Sequence, residues 1–79
     1  MYSKKFILDI AFRDAIEKCQ KKGMAESLNE AAIADFMRAY AKREGFFFTE
    51  AEIHSTIIAD VETMNNSGEK LHLKNPGDA

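Results

Sequence analysis

Seventy-nine residues allow one small domain, whose single core leaves little room for the deep cavity that an elaborate enzyme needs. With 46% apolar and 30% charged residues the chain is too apolar to stay wholly disordered, and a net charge of -2 argues against a dedicated nucleic-acid binder. A single cysteine, Cys19, rules out an intrachain disulfide; with no secretory signal and no apolar run near membrane-span length, the default expectation is a cytoplasmic protein without a membrane segment.

From Ser3 to Lys22 no Gly or Pro interrupts, and Leu8, Phe12, Ala15 and Cys19 recur at helical steps. This predicts a first helix, with Phe6, Ile7 and Ile10 widening its apolar stripe. Gly23 is the expected stop, after Lys18, Lys21 and Lys22, whose charges suit a helix C-terminus. Ser27 with Glu30 matches the reciprocal capping pattern and predicts the start of a second helix. Ile33, Phe36 or Met37, and Tyr40 form its apolar side, and Gly45 follows the last periodic residue.

The stretch Gly45-Phe46-Phe47-Phe48-Thr49 then needs explaining. Thr49 with Glu52 repeats the capping pattern, which starts a third helix running to about Met64, with Ile53, Ile57, Val61 and Met64 on one face. Phe48 just outside the cap and Ile53 at the fourth helical position form a hydrophobic staple. Phe46, directly after the glycine, folds back on the second helix. Phe47 has no assigned structural task, and a core residue and an exposed anchor both remain open.

After Met64 the composition changes to Asn, Gly, Lys and the only proline. The expected architecture is therefore all-α: a three-helix domain over residues 1–64 and a flexible polar tail over 65–79. Within the tail, Leu71 and Leu73 alternate with Lys70, His72 and Lys74, a pattern that could add a short strand to a partner's sheet edge. Charge is uneven as well. Residues 3–23 carry six basic and three acidic side chains, while residues 44–62 carry five acidic and none basic.

Catalytic chemistry finds little footing. Cys19 lies on the apolar stripe with no histidine nearby in sequence, so it reads as a packed hydrophobe. His54, His72 and Cys19 have no metal-ligand spacing, there is no glycine-rich phosphate loop, and His54 reads as a surface pair with Glu50. No cofactor, metal or catalytic residue is expected. Arg38, Lys42 and Arg43 invite a helix-turn-helix reading, yet Glu50 and Glu52 would open the recognition helix facing phosphates.

At Ala41 and Gly45 to Thr49, with Glu52 and Ile53, the sequence resembles the nitrogen-fixation-type (Nif) leader peptide family, the helical front domains of ribosomally made, post-translationally modified peptide precursors. The likeness spans roughly residues 3–58, beginning with Phe6 near the start of the first helix. It departs from the pattern in three places. Phe47 stands where a polar residue is usual, Ser67-Gly68 is the nearest approach to a double-glycine protease site, and no Cys, Ser or Thr follows Gly68. The resemblance implies a non-enzymatic function. The helical domain is recognised by a peptide-modifying enzyme or its recognition subunit, with a processing protease or transporter as further partners, and the tethered C-terminal segment is the substrate. Contact is expected on Phe46, Phe47 and Phe48, with Ile53 and Ile57 beside them, and on Leu71 and Leu73. The alternatives are a stand-alone helical interaction or adaptor protein, such as a homodimer burying the same faces, and, behind it, a DNA-binding domain.

Overall fold

The computed structural model describes residues 3–22, 28–69, 71, 73 and 74. Helix α1 spans Lys4–Lys21, α2 Glu30–Glu44 and α3 Glu50–Asn66; two-residue strands β1 (Leu28–Asn29) and β2 (Leu73–Lys74) pair in parallel, Leu28 opposite Leu73 and Asn29 opposite Lys74. The expected three-helix, all-α architecture is what the chain adopts.

Each helix begins on a side chain that satisfies backbone donors otherwise left without partners. Ser3 accepts from the Phe6 amide at 3.2 Å to start α1. The Ser27–Glu30 pattern does not start α2. Asn29 does, its Oδ1 accepting from the amides of Ala31 at 2.8 Å and Ala32 at 3.4 Å. Asparagine caps as well as serine, and starting the helix there frees Glu30 to meet His54 instead of reaching back along the chain. Ser27 and the expected stop Gly23 lie outside the described residues. Helix α1 ends with Lys22 as its cap, after Lys18 and Lys21 in the last turn.

The core is the seam of the three apolar stripes. Phe12, Cys19, Ile33, Met37 and Ile57 are fully buried, Ile53 nearly so, joined by Leu8, Ala11, Ala15, Ile16, Ala34, Ala41 and Val61. Each large side chain so enclosed is worth about 1.5–3 kcal/mol. Helix α1 packs on both other helices, most extensively on α2. The widened stripe of α1 is only partly used: Ile7 packs against the core, while Phe6 and Ile10 are exposed. Phe36 lies at the rim of the core beneath the ammonium groups of Lys18 and Lys22, 5.9 and 5.1 Å from its ring centre.

The expected third helix runs to about Met64. Helix α3 continues to Asn66 and ends in a glycine turn. Gly68 has φ 100°, its amide donates to the Asn65 carbonyl at 3.1 Å, and the Glu69 amide donates to the Met64 carbonyl at 3.1 Å. That turn sends the chain back along the body. Leu71 is buried in the core cluster at 8% exposure. The strand pattern at Leu71–Leu73 therefore serves this chain's own fold, β2 pairing with β1. Lys70, His72 and residues 75–79 of the expected tail lie outside the described residues.

Candidate functional site at the corner between α2 and α3

The corner is built from two opposed end-signals. Gly45 adopts φ 80°, ψ 23°, and both its amide and that of Phe46, the latter at 2.8 Å, donate to the Ala41 carbonyl. A Cβ at Gly45 would meet nothing within 4 Å, so the glycine is required by its backbone angle and not by space. Four residues later the Thr49 hydroxyl accepts from the Glu52 amide at 3.1 Å while the Glu52 carboxylate accepts from the Thr49 amide at 2.8 Å. This capping box holds the Glu52 carboxyl below the usual carboxylate range, with Lys4 of α1, 2.9 Å away, pulling the same way.

The three rings between these signals meet different fates. Phe48 is buried at 7% exposure beside Ile53 at 2%, the expected staple. Phe46 is partly exposed at 43%, and Phe47 stands out at 76%. The corner breaks the helix, and the rings divide between core and solvent. Of the expected contact residues, Phe48, Ile53, Ile57 and Leu71 are buried in the core, whose small size draws in most of the large apolar side chains. Leu73 lies in β2. The surface left at the corner is Phe46 and Phe47, around a depression of about 380 Å³ that Lys42 and Arg38 also line. Lys42 has no ion pair among the described residues.

A second feature adjoins it. The guanidinium of Arg38 in α2 holds the Glu50 carboxylate of α3 and also Asp35, one turn back. Glu50 raises the affinity of Arg38 for its proton, and Arg38 in turn holds the Glu50 carboxyl low. Beyond this bridge lies a groove of about 440 Å³ between α2 and α3, floored by Ala34, Ile53 and Ile57 and closed at its far end by Glu30 and His54. The expected His54–Glu50 pair is corrected here: Nδ1 of His54 meets Glu30, because Glu50 is already engaged by Arg38.

A third cluster was not foreseen. Asp9 of α1 and Asp60 of α3 face each other over the α1–α3 seam, lining two adjoining depressions together with Lys5. Burial, then the hydrogen bond and charge of Asp9, push the Asp60 carboxyl up to about 7. The spacing of α1 could have placed Asp9 beside Leu8 and Phe12, but nothing local shows which α3 residue it meets. Cys19 is a buried thiol that burial pushes up, away from the thiolate form a nucleophile needs. Among the described residues no group of three or more His, Cys, Asp or Glu could hold a metal ion, and no helix is long and apolar enough to cross a membrane. Comparison with known protein families, characterised proteins and solved structures finds no match.

Proposed function

We propose that this chain is a recognition domain of the leader-peptide type, docked by a larger peptide-modifying enzyme or its recognition subunit, which acts on sequence tethered C-terminal to the helices. The observation that carries the reading is the corner: Phe46 and Phe47 project from a backbone fixed on one side by the Gly45 turn and on the other by the Thr49–Glu52 box. Apolar rings held ready in this way lose little freedom on binding, which is what makes an aromatic an effective anchor. Lys42 beside them offers an unsatisfied cation to a carboxylate on the partner. Docking raises the effective concentration of the tethered segment at the partner's active site without the domain doing chemistry itself.

The test is whether a peptide-modifying enzyme or recognition subunit is encoded beside this gene and, by calorimetric titration, binds the native chain more tightly than Phe47→Asp. The substitution should weaken binding by about 1–2 kcal/mol, the scale of a partial hot spot, with the melting temperature nearly unchanged. Unaltered affinity, or no binding by the native chain, defeats the proposal. A homodimer is the second reading, favoured by Ile10 and Ile58, exposed at 38% and 44% on α1 and α3. It would show as a melt that depends on protein concentration.

A further inference from the structure

The chain after α3 is attached more elaborately than a linker needs. The amides of Ser67, Gly68 and Glu69 all donate back to α3 carbonyls, so the Ser67–Gly68 bond sits inside a closed turn. Two residues further on, the Asn65 side chain takes both backbone groups of Leu71. Its Nδ2 donates to the Leu71 carbonyl at 3.0 Å, and its Oδ1 accepts from the Leu71 amide at 2.7 Å. Asparagine is suited to this, since one planar amide presents a donor and an acceptor side by side, as a neighbouring strand would. The Leu71 side chain is buried in the core, and Leu73 and Lys74 then pair with Leu28 and Asn29.

Proteases and peptide-modifying enzymes grip substrates in extended form through these same backbone groups. We propose that the described residues 67–69, 71, 73 and 74 form a strap, clasped by Asn65 on Leu71, that withholds the Ser67–Gly68 bond and the Leu71 backbone from such enzymes until it is released. An enzyme that must hold the Leu71 backbone can do so only once the clasp opens. The clasp is also made to open. A two-rung parallel ladder is marginal alone, and a single side-chain amide holds the Leu71 backbone, so the strap belongs to the parts of the fold that open without global unfolding. The gating role rests on the recognition-domain reading above; the clasp does not.

The experiment therefore needs no partner enzyme. Amide exchange of Leu71 in the native protein is measured by NMR, and trypsin scission of the Lys70–Leu71 bond is followed by mass spectrometry in the native chain, in Asn65→Ala and in Leu71→Ala. The Leu71 amide should exchange well below its free-peptide rate. Scission should be slower in the native chain than in a peptide of residues 66–75, and roughly tenfold faster in Asn65→Ala than in the native chain, as expected for the loss of a bidentate contact. Circular dichroism shows whether each variant keeps its helices, and the native-protein exchange decides the matter even where one does not. An unprotected Leu71 amide, or native scission at the peptide's rate, overturns the clasp. Failure of Phe47→Asp to affect enzyme binding would leave it standing.

Discussion

Arg38 in α2 grips Glu50 at the first position of α3 with two nitrogens, Nε lying 2.9 Å from Oε2 and Nη2 on Oε1. The two residues straddle the corner, so the contact fixes the angle at which α3 leaves α2. Both side chains are substantially exposed, at 44% and 71%, and water screens most of their attraction. Replacing Glu50 by Gln should lower the melting temperature slightly in dilute buffer. The difference should vanish in about 0.5 M salt, where the Debye length has shrunk to roughly 4 Å. A salt-independent difference would assign the loss to something other than the ion pair.

Urea titrations should rank the corner's residues by physical cause. Phe47→Ala should fall within about 0.5 kcal/mol of the native protein, since a ring so exposed buries little. Gly45→Ala should cost about 1 kcal/mol, the penalty of placing a Cβ at positive φ with no clash added. Phe48→Ala should cost about 3 kcal/mol or more, most of what a domain this small can spare. A Phe47 variant as damaged as the Phe48 variant would place that ring in the core and remove the basis for docking.

Acid and base should destabilise the fold at opposite ends of the scale. Asp60 carries a folded-state pKa of about 7, raised above the unfolded value of roughly 3.9, so the stability it lends is complete below the latter and is lost as pH rises through 7. The groups facing it are Asp9, Lys5 and Arg13, and the two cations offset only part of the repulsion. Glu50 and Glu52 behave in the reverse sense: their depressed values give stability above the ordinary carboxylate range that disappears as pH falls. The melting temperature should therefore drop from about pH 4 to about pH 7 and level off above it. Asp60→Asn should flatten that limb while leaving the acid limb in place. A native protein whose melting point is level across that interval would show that the Asp60 carboxyl is not held up by its surroundings.

How far the sequence could be read depended on the range of each interaction. Gly45 and the Thr49–Glu52 box were legible because a cap is decided within four residues, and the α1 stripe of Leu8, Phe12, Ala15 and Cys19 because periodicity alone selects a face. The α2 cap was misplaced by two residues because Ser27 and Asn29 are both good caps, and Glu30 chose between them by pairing with His54, 24 positions away. Tertiary partners account for the other surprises. Arg38–Glu50 and Asp9–Asp60 join different helices, and nothing in either local sequence names the other member. The last segment was the hardest, because its Asn, Gly and Lys content reads as tail. Only the placement of Asn65 on the final turn of α3, aimed at Leu71, turns that composition into attachment.

Asn29 carries two loads at once: its side chain starts α2, and its backbone forms the ladder rung opposite Lys74. A pull on the C-terminal end of the chain, such as a translocating motor or a degradation machine exerts, would thus be felt first at the opening turn of α2, before either helix seam with α1 is strained. Cargo fused at that end would hang from a mechanical fuse, one that gives way at the strap and the helix start while the central packing holds.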